Sequence, residues 1–326
     1  CPKLLWLSKF QKEALSPSEG KQQFLFDQGH RIGELAYERF PNGELIDHEL
    51  GFMEKIHRTK SFITKQTPIY EASFLWKDLF CMVDILYPTA TGWQLIEVKS
   101  STQLKSQHIP DIAFQRFVLT KAGISVDSCH LLHINTSYVR SGDLDYEVLF
   151  RCVDVTDDVL AYDIEPHLDQ FRKVLSQLNV PNYPIGSYCL SPYVCSAKSH
   201  CWDGVPSPSV FDISGVSMKR KFELYYHDKM SFDDISVSDL SSFSQKLQLS
   251  CELESMDYID FAAVKKVLLD IGDNPLFLDF ECFQSPIPSF DGVRPYQQLP
   301  CQYSLHFLQG TELSHVDFLG DGIHDP

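Results

Sequence analysis

The chain has 326 residues, 44% hydrophobic and 22% charged, the composition of an ordinary globular protein long enough for two domains. No apolar run approaches the roughly 18 residues of a membrane span, and no signal-peptide pattern opens the chain. The net charge of −16 weighs against a nucleic-acid partner. That charge is unevenly spread, however: residues 1–125 carry 15 Lys/Arg against 14 Asp/Glu, and the remainder 13 against 30. Ten cysteines without a secretion signal predict a reducing, cytoplasmic setting, where spaced cysteines more often bind metal than form disulfides. The first residue is Cys1 rather than Met and the last are "GIHDP", which reads as a fragment.

In chain order, Cys1 precedes Pro2, a favoured first helical residue, and a helix with Leu4, Leu5 and Leu7 follows. "FDQGHRIGELAYERF", Phe26 to Phe40, carries a helical apolar stripe of Ile32, Leu35, Ala36 and Phe40. His30 and Glu34, four apart, share another face of that helix.

"LFCMVDILYP" (Leu79–Pro88) and "GWQLIEVKSS" (Gly92–Ser101) both read as strands, joined by the turn-rich "TATG". A symmetric hairpin centred between Ala90 and Thr91 sets Asp84 directly across from Glu97. Two carboxylates so placed repel each other, and a divalent cation removes that penalty. Oxygen ligands suit Mg²⁺ or Mn²⁺. Lys99, two residues from Glu97, leaves the same strand face and can orient a metal-bound water or stabilise charge on a phosphate. The bland alternative is a surface hairpin with a cross-strand salt bridge, but the flanking residues are too apolar for a solvated face.

"IPDIAFQRFVLTKAG", Ile109 to Gly123, predicts a helix with Asp111 as N-cap and Gly123 as its stop. Gln115 lies one turn in. "CHLLHINTSYV" (Cys129–Val139) predicts the next core strand. In "YCLSPYVCSAKSHCW", Cys189, Cys195 and Cys201 follow at two equal intervals of six within a predicted loop. A closed tetrahedral site needs a fourth ligand. The remaining Cys81, Cys129, Cys152, Cys251, Cys282 and Cys301 read as buried small hydrophobes.

The polar, serine-rich stretch from Phe211 reads as a connector. Tyr258–Pro275 predicts a helix stopped by Gly272. "LFLDFECF" follows as a strand with Asp279 and Glu281 two apart on one face. A Pro-rich loop holding Arg294 and Tyr296, either of which can touch a substrate, leads to two further strands, "CQYSLHFLQG" and "LSHVDFLGDG".

The order His30, Asp84, Glu97-Val98-Lys99, Gln115 resembles the motif set of PD-(D/E)XK nucleases, and more closely the RecB-like branch, including the CRISPR-associated RecB-like exonucleases. Leu119 stands where that branch commonly has an aromatic residue. The resemblance implies an α/β restriction-endonuclease-like core, a mixed sheet flanked by helices. Asp84, Glu97, His30 and the Val98 carbonyl would hold Mg²⁺ or Mn²⁺; Lys99 and Gln115 would complete the catalytic set. One cysteine before the core and three behind it resemble the iron–sulfur staple of RecB-like nucleases, which implies that Cys1, Cys189, Cys195 and Cys201 hold a [4Fe–4S] cluster. Zinc and free structural cysteines are the alternatives. Asp279 and Glu281 resemble the first motif of DEDD-type exonucleases, whose fold is RNase H-like, and mark a possible second site.

The domains expected are a RecB-like nuclease over 1–205, a connector over 206–257 and the start of an exonuclease-like domain over 258–326. The function expected is metal-dependent hydrolysis of DNA, single-stranded or with free ends, in repair, recombination or defence, with no membrane partner. The rival is a catalytically silent module, stapled by a metal cluster, that binds nucleic acid or a protein partner. RNA is a further candidate substrate.

Overall fold

The computed structural model describes residues 1–17 and 20–322. The chain divides into two compact units, Cys1–Glu19 with His167–Asp273 and Gly20–Pro166 with Asn274–Pro326.

The second of these is α/β. Its main sheet has six strands: β1 (Glu44–Leu45), β2 (Ile69–Trp76), β3 (Leu79–Pro88), β4 (Trp93–Lys99), β5 (Val126–Ile134) and β6 (Phe150–Asp154). They lie in sequence order. β1/β2 and β4/β5 pair in parallel and the other neighbours antiparallel, so the sheet is mixed. The parallel step from β4 to β5 needs a crossover, which the helix His108–Lys121 supplies.

Both sheet faces are covered. On one, Ile32, Leu35 and Ala36 of the helix Gly20–Tyr37 pack with Tyr70, Ile85, Ile96 and Leu132. On the other, Ile112, Ala113, Val118 and Leu119 pack with Ile69, Val83, Leu86 and Leu95. Ile85, Leu86, Leu95 and Ile96 are all fully buried, each contributing about 1.5–3 kcal/mol relative to exposure. This two-sided burial explains why β3 and β4 read as near-continuous apolar runs.

The β3–β4 hairpin pairs Ile85 with Ile96, Leu86 with Leu95, Tyr87 with Gln94 and Pro88 with Trp93. That is the register centred between Ala90 and Thr91. Gly92 is required where the turn meets β5: a Cβ there would lie 2.5 Å from the Ser125 carbonyl oxygen, which accepts the Trp93 amide at 2.9 Å.

The same unit carries a three-stranded antiparallel sheet, β7 (Leu276–Phe283), β8 (Leu299–Gln309) and β9 (Glu312–Leu319). Nearly every residue of β7 is exposed. The β7–β8 loop docks on the main sheet. Ile287 and Tyr296 pack against its Tyr70–Ile85–Ile96 cluster, and the Tyr296 hydroxyl donates to the Ser100 carbonyl. Arg140 Nη1 donates to the carbonyls of Pro288 (2.9 Å) and Ser289 (3.0 Å).

In the other unit, Cys1 is the N-cap of the helix Pro2–Phe10. Trp6 Nε1 of this helix donates to the Gln177 carbonyl at 3.0 Å. The stretch over 206–257 is folded around a core of its own: Val210, Ile213, Leu224, Phe232, Ile235, Leu240 and Leu249. Its serines cap helical turns. Ser209 with Asp212, Ser231 with Asp234, Ser236 with Asp239 and Ser242 with Gln245 each form a reciprocal capping box. The helix Phe261–Ile271 ends at Gly272, φ 73°, and buries none of its residues. Among the described residues no helix is long and apolar enough to cross a membrane.

Candidate functional site

The site forms where β3 and β4 part. Their ladder ends at Ile85–Ile96, one residue short of Asp84 and Glu97. Beyond that point the Asp84 carboxylate takes the place of a backbone carbonyl: its Oδ2 accepts the Val98 amide at 2.7 Å. Glu97 is 4% exposed and both of its oxygens are engaged. Oε1 accepts from Lys99 Nζ at 2.5 Å and Oε2 from Gln115 Nε2 at 2.7 Å. Lys99 Nζ also donates to Asp111 Oδ2 at 2.9 Å.

Asp111 therefore differs from its predicted role. The helix starts at His108 with Gln107 as N-cap, and Asp111, inside the first turn, binds Lys99 instead of the backbone. Gln115 reaches Glu97. Its Oε1 is buried and has no hydrogen-bond partner.

Three groups here titrate far from their usual range. Burial pushes the Asp84 carboxyl up, and the Glu71 charge adds to this against the Val98 amide bond. Burial and the Asp84 charge likewise push Glu97 up, against Lys99. For Lys99, burial works against the charge, but Glu97 and Asp111 outweigh it and hold the ammonium well above its usual range. Lys99 is thus a fixed cation and hydrogen-bond donor at neutral pH, not a base.

His30 is exposed. Its ring centroid lies 6.2 Å from that of His48, and its charge acts on Glu71. Glu34 points to solvent, where it pairs with Arg31 at 3.1 Å. Glu71, on β2, has no counterpart among the residues singled out from the sequence. It lies between the pairs Tyr70–Ile85 and Ala72–Val83, hence opposite Asp84. The two-residue turn Lys77–Asp78 that follows β2 fixes this register, so hairpin symmetry applied one strand earlier would have found it.

Cys1, Cys189, Cys195 and Cys201 all line one small pocket, together with Lys3, Tyr183 and Tyr188. The Cys195 amide donates to the Cys189 carbonyl at 2.9 Å, folding the loop back on itself. Two short helical turns, Ser187–Cys189 and Lys198–Cys201, interrupt what the sequence predicts as loop. Burial, and the nearby Cys195 and Cys189 sulfurs, push the Cys201 thiol up against the opposing Lys3 charge. Of the other six cysteines only Cys81 and Cys129 are buried; Cys152 and Cys282 are exposed, and Cys251 and Cys301 lie between. Cys152, Cys282 and Cys301 lie on strands, and Cys251 on the helix Phe243–Glu254, without a buried face.

Asp279 and Glu281 lie on exposed β7, opposite Ser304 and Gln302 of β8. Arg294 is exposed, and Tyr296 is committed to Ser100.

The donor chemistry fits a cation at Asp84 and Glu97, where a half-buried and a buried carboxylate flank one ammonium and the buried Gln115 Oε1 is without a partner. It fits a thiolate-bound metal in the cysteine pocket. The donors are not drawn together: among the described residues no three His, Cys, Asp or Glu side chains are grouped closely enough to hold a metal ion.

A protein-family model described as "Domain of unknown function (DUF2779)" matches residues 276–326, which comprise the three-stranded sheet and its docking loop. No curated protein matches the chain.

Proposed function

We propose that the chain is a metal-dependent nuclease hydrolysing DNA phosphodiester bonds, with a RecB-like PD-(D/E)XK core, and that its DUF2779-like segment is the start of a DEDD-exonuclease-like domain. One observation carries the reading: Glu97, Lys99 and Gln115, from a strand and a helix, are joined side chain to side chain, and Asp84 of the neighbouring strand accepts the amide of Val98 between Glu97 and Lys99.

Asp84 and Glu97, with His30 and the Val98 carbonyl, would hold Mg²⁺ or Mn²⁺. Such an ion supplies Lewis acidity at the phosphate and acidifies a water. Lys99 keeps its proton and places a positive donor where phosphate charge develops. Gln115 fixes the Glu97 rotamer from the helix side. Asp111 balances Lys99 until a phosphate competes for it. Cys1, Cys189, Cys195 and Cys201 would hold a [4Fe–4S] cluster, with zinc as the alternative, and so fasten the N-terminal helix to the 185–205 segment. The acids on β7 would serve a second site.

The second reading is a catalytically silent module that binds nucleic acid or a partner. It is favoured by the absence of a preassembled metal group among the described residues, and the net charge of −16 favours a protein over a nucleic acid as its partner. Incubating purified protein with labelled single-stranded DNA and Mn²⁺ separates the two. Degradation that is abolished by EDTA and by Lys99→Ala supports the nuclease. Binding without degradation supports the module.

A further inference from the structure

We infer that the β7–β8 loop belongs to the nuclease site and that Tyr296 is a positioning residue: through the Ser100 carbonyl it fixes the end of β4 that carries Lys99. The inference rests on the nuclease reading and adds to it a residue from the DUF2779-like segment.

β4 has a free edge beyond Ile96. Its ladder with β3 ends there, whereas its pairing with β5 continues to Lys99–His133. Backbone groups alternate between the two neighbours along a strand. Val98 and Ser100 therefore turn to the side that β3 has left. Ser101 turns to β5, where its carbonyl accepts the Ile134 amide at 3.0 Å. On the free edge two side chains stand in for the missing strand. The Asp84 carboxylate accepts the Val98 amide at 2.7 Å, and the Tyr296 hydroxyl donates to the Ser100 carbonyl. Between those two bonds lie Lys99 and the Val98 carbonyl, the proposed metal ligand.

A loop that only joined two strands would run over the surface. This one is the buried part of its segment: Pro286, Pro288, Val293 and Pro295 are buried, while nearly all of β7 is exposed. It is also tied down away from Tyr296. The Gly292 amide donates to the Arg140 carbonyl at 2.8 Å, the Arg140 amide to the Val293 carbonyl at 3.1 Å, and the Gly142 amide to Asp291 Oδ1 at 2.8 Å. The loop is therefore held on the main sheet at both ends of its course, and Tyr296 meets β4 from a fixed base.

Tyr296 is the joint of this loop. Its amide donates to the Ser285 carbonyl at 2.7 Å and closes the loop. Its ring packs against the Tyr70–Ile85–Ile96 cluster, and its hydroxyl reaches β4. Its φ is 59°, a left-handed conformation that costs a bulky residue free energy and persists where the surroundings enforce it. Glycine or asparagine would suit that φ better, but neither would reach Ser100. Burial pushes the hydroxyl up, so it keeps its proton and donates at neutral pH.

Steady-state cleavage of labelled single-stranded DNA by the full chain with Mn²⁺, measured together with unfolding midpoints, tests this. Tyr296→Phe keeps the ring and removes only the hydroxyl. It is expected to lower kcat about tenfold with KM unchanged, because a loosened β4 end misplaces Lys99 in the transition state. Ile287→Val trims the packing of the same loop on the same cluster and removes no hydrogen bond. It is expected to lower the midpoint while kcat stays at the wild-type value. Wild-type kcat in Tyr296→Phe, whatever its KM, or equal losses of kcat in the two variants, overturns the inference and leaves the nuclease reading standing. Absence of cleavage by the wild type overturns both. Should Tyr296→Phe not fold, Tyr296→Asn, which suits the positive φ but cannot reach Ser100, is measured in its place against the same expectations.

Discussion

The chain carries two sets of strand-borne acids, and their surroundings differ more than their chemistry. Asp84 and Glu97 sit in the middle of a six-stranded sheet covered on both faces. Asp279 and Glu281 sit on a three-stranded sheet whose first strand is almost wholly exposed. Burial makes the first pair interact with each other, with Lys99 and with Gln115, and shifts their titration. The second pair makes no such network. A D-x-E or E-x-K pattern acquires chemical meaning only from the layers packed around it, because those layers set the dielectric and fix the partners.

The sharpest way to break this comparison is mutation of each set under one assay. Lys99→Ala is expected to reduce Mn²⁺-dependent DNA cleavage about 10²–10³-fold, whereas Asp279→Ala and Glu281→Ala leave it within about twofold. Equal losses from both sets would erase the distinction. Next in size, Gln115→Ala releases the Glu97 rotamer and is expected to cost about 10–100-fold in cleavage or metal affinity, readable by Mn²⁺ titration.

Packing gives a third contrast. Leu95, fully buried between β3 and β5, is expected to cost about 2–5 kcal/mol on truncation to Ala. Leu278, 61% exposed on β7, should cost no more than about 0.5 kcal/mol. Urea unfolding of both variants measures the difference.

The smallest effect is pH-dependent. The folded protein binds protons at Asp84 and Glu97 more tightly than the unfolded chain does. Their contribution is therefore fully present below the ordinary carboxylate value of about 4 and is lost as pH rises through the raised folded values. Metal-free protein should lose stability over that window, and Asp84→Asn/Glu97→Gln should flatten the slope. Thermal unfolding in EDTA across the range detects it; identical slopes would mean the acids are not strained by burial.

The hairpin was legible in the sequence because its turn is short and its two acids are symmetric about it, so register followed from counting. The helix carrying Gln115 was legible too, but not the partner of Asp111. An Asp near a helix start satisfies the local capping rule, and only the tertiary fold shows that Lys99 claims it. Glu71 escaped because a single acid in "IYEASFLW" has no charged neighbour in sequence; its partners Tyr37 and His48 lie more than twenty residues away along the chain. The 206–257 segment escaped for the opposite reason. Its serines lower the hydropathy to that of a linker, yet Ser209, Ser231, Ser236 and Ser242 cap helical turns in a segment folded around a common apolar core. The gathering of Cys1 with the triple-cysteine loop could be expected only through family resemblance, since nothing in spacing links residue 1 to residue 189.

The most direct test of the central claim is the fate of end-labelled single-stranded DNA incubated with wild-type and Asp84→Ala protein, each with Mn²⁺ and with EDTA. The site described here predicts degradation by the wild type with Mn²⁺ alone and none by Asp84→Ala, although both fold. Degradation by Asp84→Ala at the wild-type rate, or by the wild type in EDTA, would contradict it.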